Sequence, residues 1–250
     1  MALRSFPIAS LLVVASLVPA ARAQLTVGAA AELRPVIEEA SRVYTERTGN
    51  PLRVVYASPS KLVELAANRG IDGLVAPMEY LDSARARGLA GESSTLIASS
   101  PITAWSRQGK ALPDSQLAFL LDTAIHGIAA SDPAQSPDGV AVMPFLQLLR
   151  ADSQFLAKLR IAPEPSAAID SISAGRADAA LLPQSAFWSS PVGGLGRQLI
   201  LDSLRIAPQR TGCLVLTVAP ERQANATAFF TWLRGPQGKG FWRRRGFLLP

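Results

Sequence analysis

Leu25-Thr-Val-Gly-Ala-Ala-Ala-Glu-Leu33 and its echo Arg53-Val-Val-Tyr-Ala-Ser-Pro-Ser-Lys-Leu62 decide the fold. Each is a short β-branched run, then a turn of small residues, then a helix-forming segment. A strand that feeds a helix through small residues leaves the first backbone N–H groups of the helix free and lets a ligand come close. Two such turns side by side in a parallel sheet form a small polar cradle at the carboxyl ends of the strands.

The alternation continues outward from these two stretches. Short apolar runs place strands near 25–28, 53–57, 73–76, 94–98, 101–105, 127–130, 180–182, 199–201 and 213–218. Helical spacing places helices near 33–48, 60–69, 78–88, 115–121, 139–150, 153–159, 167–175, 221–234 and 236–245. This order predicts an α/β fold with mainly parallel sheets flanked by helices. Leu33, Val36, Ile37, Ala40, Val43 and Tyr44 form an i, i+3, i+4 stripe, and Gly49-Asn50-Pro51 ends that helix. Ser58 and Pro59 read as N-cap and first-turn residue of the next helix, and Asp138 as the cap of a helix that opens at Gly139. Stretches near 98–101 and 207–212 are candidate crossings. They divide the chain into a discontinuous lobe 1 (24–99 and 211–250) and a lobe 2 (100–210), with a cleft between them.

Residues 1–23 read as an export signal. Arg4 supplies the positive end, Ile8 to Val18 is almost wholly apolar, and Ala21-Arg22-Ala23 has the small-x-small pattern of a cleavage site. The expected mature start is Gln24, in the periplasm. With Cys213 as the single cysteine, there is no lipid-attachment cysteine at the cut and no intramolecular disulfide. Cys213 sits in the apolar run Cys-Leu-Val-Leu-Thr-Val and reads as a buried, inert thiol. Loss of Arg4 and Arg22 with the leader lowers the formal charge from +6 to +4. Much of the remainder lies in Lys239–Arg245, so the basic residues are not spread over a face as a nucleic-acid partner requires.

Catalytic chemistry is nearly absent. The single histidine, His126, has no cysteine or carboxylate cluster around it in sequence and reads as a surface or packing residue. There is no G-x-S-x-G elbow, no H-E-x-x-H and no phosphate loop, and Ser58 and Ser60 have no nameable base. Gly193-Gly194-Leu-Gly196 follows Pro191 and reads as a surface turn, and the four tryptophans as packing. Neither an enzyme nor a cofactor is expected, and no metal ligated by protein side chains.

Taken together the chain resembles the periplasmic molybdate-binding proteins of ABC importers. The resemblance starts at Thr26-Val-Gly-Ala-Ala-Ala-Glu-Leu33 and runs through Tyr56-Ala-Ser-Pro-Ser-Lys-Leu62 and Ala130-Ser-Asp-Pro133. It is most specific at Ala228-Phe-Phe-Thr-Trp-Leu-Arg-Gly-Pro-Gln237 and Arg245-Gly-Phe247. It implies a two-lobed type II periplasmic binding fold, a monomer that holds molybdate or a related tetrahedral oxyanion in its cleft and hands it to a membrane permease. In that family the oxyanion is held by neutral donors: two serine hydroxyls, backbone N–H groups at helix N-termini, and a tyrosine.

Here the donor positions have changed. The first serine falls on Glu32, beside Ala31. The middle serine of the second turn falls on Pro59, between Ser58 and Ser60. The backbone donor of the middle helix falls on Asp138, beside Gly139, and the tyrosine falls on Pro183. A further donor falls within Pro165–Ala167. An ionised carboxylate ~4 Å from a dianion costs about 8 kcal/mol at an effective dielectric near 20. Three readings follow. Glu32 and Asp138 cap helices and point outward while Ser58, Ser60, Lys61 or arginines rebuild an anion site. Alternatively both carboxylates face the cleft and the ligand is cationic or a polar organic molecule. In the third, Glu32 acts as a built-in anion and the lobes form an interaction module.

Overall fold

The computed structural model describes residues 24–114, 117–149, 153–188, 190–201 and 207–250, so the expected leader 1–23 lies outside the described residues. The first sheet takes β1 (Leu25–Ala30), β2 (Leu52–Ala57), β3 (Gly73–Pro77) and β4 (Thr95–Ser100) from the early chain and a late strand, Gln209–Val215, as its fifth. The second takes β5 (Ile102–Arg107), β6 (Ile128–Ser131), β7 (Leu159–Ala162), β8 (Ala179–Pro183) and β9 (Gly196–Ile200). The late strand is β10, and the spatial orders are β2-β1-β3-β10-β4 and β7-β6-β8-β5-β9.

The two orders describe one pattern used twice. Three parallel strands carry the central one first in sequence, and an antiparallel strand inserts beside the third. Each sheet is mainly parallel, with four of its five strands running one way, and only the strand that crosses between lobes, β10 or β5, runs against its neighbours. Each sheet reverses its strand order at the first parallel strand, β1 or β6. In open α/β sheets the crevice beyond the carboxyl ends at that reversal is where ligands bind.

The helices are α1 (Arg34–Thr48), α2 (Pro59–Ala67), α3 (Met78–Ala86), α4 (Pro137–Leu149), α5 (Ser153–Lys158), α6 (Pro165–Ser173), α7 (Gln184–Trp188), α8 (Pro220–Arg234) and α9 (Pro236–Arg244). The stripe read on α1 buries Val36, Ile37, Ala40 and Tyr44, and the helix ends with Gly49 in the left-handed region at φ 67°. Its Cβ-free backbone permits that turn, and its N–H donates to the Thr45 carbonyl at 2.9 Å. Two elements escape the sequence pattern. β7 is a four-residue edge strand with Arg160 and Ile161 exposed, so it lacks a strand's apolar face, and α7 is a single turn and a half after Pro183.

One core fills the first lobe, with Val27, Leu33, Ile37, Leu62, Leu74, Leu81, Phe229 and Trp242 almost wholly buried. The second sheet is covered on both faces, Ala104 and Phe155 on one side and Trp105 and Phe187 on the other. Cys213 is buried in the first core, and burial pushes its thiol up to about 12. Gln209 and Arg210 already pair with Ser100 and Ser99, and Leu248 bridges to Ser99, so the closing segment joins the first sheet before residue 211.

Candidate functional site: an acidic cleft between the lobes

The strand ends of both lobes face one cavity of about 530 Å³. The first lobe contributes Glu32, Ser58, Pro59, Ser60, Pro77 and Tyr80, with Gln209 from the crossing segment. The second contributes the turn between β6 and α4, including Gln135, Ser136 and Asp138, and the turn between β7 and α6, including Glu164 and Ser166. Three carboxylates thus meet hydroxyls and amides, and no lysine, arginine or histidine stands among the described residues of the wall.

Local structure explains how each group arrives. Ser58 occupies the N-cap position of α2 but makes no capping hydrogen bond, contrary to the sequence reading, and its Oγ lies 3.4 Å from Ser60 Oγ. Pro59 at the first turn has no N–H to give. The β6–α4 turn is pinned by Asp132, which accepts from the Ala134 N–H at 2.9 Å and from Gln135 Nε2 at 2.7 Å. These bonds hold its carboxyl below the usual range. α4 then begins at Pro137, so Asp138 lies in its first turn rather than capping it. The Ser136 hydroxyl donates to Asp138 Oδ1. Glu164 is the N-cap residue of α6, again without a capping bond from its side chain.

Asp138 is the central group. It is 1 % exposed, and its Oδ2 has no hydrogen-bond partner among the described residues. Burial raises its pKa, and the Ser131 and Ser136 hydroxyls beside it oppose that rise. Glu32 is partly exposed, its open side toward the cleft. Loss of hydration pushes its pKa up to about 7, a backbone hydrogen bond pulls the other way, and the fields of Asp138 and Glu164 add to the rise. Tyr80 spans the cleft. Its hydroxyl donates to the Gln135 carbonyl at 2.6 Å, tying α3 to the opposite lobe. Its own pKa is raised, first by burial and then by Asp138, Glu32 and Glu164.

The helix ends can be weighed against these charges. α2, α3, α4 and α6 begin at the cleft, and each N-terminus carries roughly +0.5 of an elementary charge, so together about +2. Three carboxylates outweigh them by about one unit only when all are ionised, and Glu32, with its pKa pushed up to about 7, carries its full charge only above neutral pH.

Glu32 also makes the free protein sensitive to pH. Its unfolded pKa is 4.5 and its folded value about 7, so the stability present below pH 4.5 is lost as pH rises toward and through 7. The expected loss is at most about 3 kcal/mol, because cleft water recovers part of the hydration. Chemical denaturation between pH 5 and pH 8 should show stability falling across that window, and Glu32→Gln should flatten the fall. An equal slope in both proteins would mean that Glu32 is hydrated as in the unfolded chain.

Residues 25–248 match the family described as bacterial extracellular solute-binding protein. The chain belongs to that family. No curated protein sequence matches the chain significantly. Among solved structures it is similar to the periplasmic molybdate-binding protein of Azotobacter vinelandii, at 20% identity and TM-score 0.74 over 90% of this chain and 99% of that one. The substrate-binding domain of a molybdenum ABC transporter from Clostridium difficile matches at 16% identity and TM-score 0.71, over 91% of this chain and 99% of that chain. Iron-bound HitA from Pseudomonas aeruginosa matches at 14% identity and TM-score 0.62, over 88% and 84% of the two chains. At such identities these likenesses speak for the two-lobed fold.

In this solute-binding protein of ABC-transporter type, the sequence-derived site is only partly assembled. Glu32, Ser58, Pro59, Ser60 and Asp138 line the cleft as expected from their turns. Ala31 lines a neighbouring cavity instead. Lys61 is not in the wall. It lies on the exposed side of α2, opposite buried Leu62, Val63 and Ala66, and pairs with Glu64 at 2.7 Å. Gly139 is buried against the preceding turn, where a Cβ would come within 2.6 Å of Asp132, Pro133 and Ser131 backbone atoms, so its role is close packing. Pro183 ends β8, buried and paired with Ile102. His126 is a surface residue, its Nδ1 3.0 Å from Asp178. Tyr80, Glu164 and Gln209 were not anticipated. The β3–α3 turn repeats the strand–turn–helix signal of the first two and could have pointed to Tyr80, whereas Gln209 reaches the cleft only through the crossing.

Proposed function

We propose that the protein is the periplasmic binding component of an ABC-type importer and that its cleft captures a small, singly charged organic cation, an amine, rather than a tetrahedral oxyanion. The observation that carries this reading is the buried Asp138 carboxylate in a wall that also holds Glu32 and Glu164 and, among the described residues, no basic side chain. Desolvated carboxylates are costly, and an ammonium group in the cleft would offset the charges of Glu32, Glu164 and Asp138. A bare metal ion fits less well, since no group of three or more acidic, histidine or cysteine ligands is close enough to hold one among the described residues. The family's oxyanion chemistry also has fewer donors here, because Pro59 and Pro165 open two helices at the cleft without an N–H.

In this reading the leader 1–23 exports the chain, and the lobes, divided near residues 99 and 210, close over the ligand. Ligand contacts to both lobes shift the population toward the closed form that a permease would receive. Tyr80 and Gln135 supply one contact across the cleft already. Thermal denaturation of the mature protein with millimolar methylammonium, magnesium, molybdate and sulfate tests the assignment. Stabilisation by the ammonium salt alone, against a matched chloride control, is the expected result. Stabilisation by molybdate alone would overturn it.

A further inference from the structure

A second cavity of about 310 Å³ adjoins the cleft, and Glu32 and Ser166 stand in the walls of both. Its character differs. Ala31, Pro35, Ile169, Ala186 and Pro191, contributed by both lobes, give part of its lining an apolar surface, and Ser166, Ser173 and Ser190 stand among them. Arg34 and Asp170, both exposed, place one charge of each sign at its edge. The Arg34 guanidinium is stacked over the Tyr56 ring at 4.2 Å. The two cavities together are far larger than a single ammonium group requires, and ligand sites of this size enclose molecules with an apolar body and a few fixed polar contacts.

We infer that the two cavities form one extended binding site whose ligand is an amine with a short apolar tail, its ammonium held in the cleft by Asp138, Glu32 and Glu164 and its tail lying past Glu32 against Ala31, Pro35 and Ile169. This rests on the cationic reading of the cleft and adds the shape and the second half of the ligand. Because lining residues come from the short 3-10 turn Ala31–Leu33 and α1 on one lobe and from α6 and α7 on the other, a tail lodged there touches both lobes and favours closure as the head does.

The probe is a series of primary alkylammonium chlorides, from methyl to hexyl, titrated calorimetrically into the full mature protein. Each methylene that enters the second cavity should tighten binding by about fourfold, until the cavity is filled. Ser173, an exposed residue of α6 in that wall, offers a variant that leaves the cores intact. Ser173→Trp should remove the chain-length dependence. Wild-type affinity that does not change with chain length would overturn the extended site and leave the cationic cleft standing. Absence of binding by every member of the series would overturn both. A chain-length dependence that survives Ser173→Trp unchanged would place the tail elsewhere and also overturn the inference.

Discussion

Asp138→Asn should lower the affinity for an ammonium ligand by about a hundredfold and, at the same time, make the unliganded protein more stable. The first effect follows from removing one member of a desolvated charge pair, which costs about 2–5 kcal/mol of binding. The second follows from the site itself. Asp138 is 1 % exposed, and burial raises its pKa against the opposing pull of the Ser131 and Ser136 hydroxyls, so the ionised carboxylate is a burden on the empty protein. Asparagine keeps the shape and an oxygen to accept the Ser136 hydroxyl, and it carries no charge to desolvate. A gain of about 1 kcal/mol in denaturant unfolding is the expected size. Stability exchanged for a binding group is the pattern of a functional residue. A loss of stability in Asp138→Asn with unchanged ligand affinity would make Asp138 an ordinary first-turn carboxylate.

The second large effect concerns the first lobe's framework. Asp72 is completely buried at the head of β3, where its Oδ2 accepts the Thr26 N–H at 2.8 Å and its carboxylate pairs with Arg222 of α8. Its backbone completes the knot, donating to the Thr26 carbonyl at 2.7 Å and accepting from the Leu216 N–H at 3.0 Å. β1, β3, the exit of β10 and α8 thus meet at one residue. Removing only the cation leaves a buried charge uncompensated, which costs about 3–5 kcal/mol; since Arg222 is 34 % exposed, the lower end applies. Arg222→Ala should therefore lose about 3 kcal/mol and about 9 °C in Tm. Adding Asp72→Asn to Arg222→Ala should recover part of the loss, because the charge is then gone from the interior. A Tm within one degree of wild type for Arg222→Ala would show that solvent, not Arg222, compensates Asp72.

Much of this architecture is legible in the chain because local signals and global fold agree there. The small-residue turns after Val27 and Tyr56 do end parallel strands at a cleft, and the α1 stripe does face the core. What escaped has physical causes. β7 is an edge strand with two of its four residues exposed, so no alternation marks it. Lys61 follows three cleft residues in sequence, yet a helix rotates its third residue away from the face its first presents, and buried Leu62 and Val63 fix that rotation. Pro183 ends a strand as foreseen, but its pairing with Ile102 turns it into the core. Tyr80 and Gln209 depend on contacts across the lobes, which no local window contains. The carboxylates illustrate the same divide. Sequence placed Glu32 and Asp138 at helix starts, where capping and cleft-lining are equally natural, and only the assembled lobes add Glu164 and leave Asp138 Oδ2 without a donor.

The sign of the ligand's charge is the claim on which the rest depends, and the pH dependence of binding tests it most directly. Calorimetric titration of the mature protein with butylammonium and with molybdate, at low salt and at pH 5.5 and pH 8, reads it in one series. Glu32, with a pKa pushed up to about 7, gains its charge between these two conditions. The account predicts that butylammonium binds and tightens several-fold from pH 5.5 to pH 8, while molybdate gives no heat at either. Tight molybdate binding that weakens as the pH rises, with no binding of the amine, would contradict it.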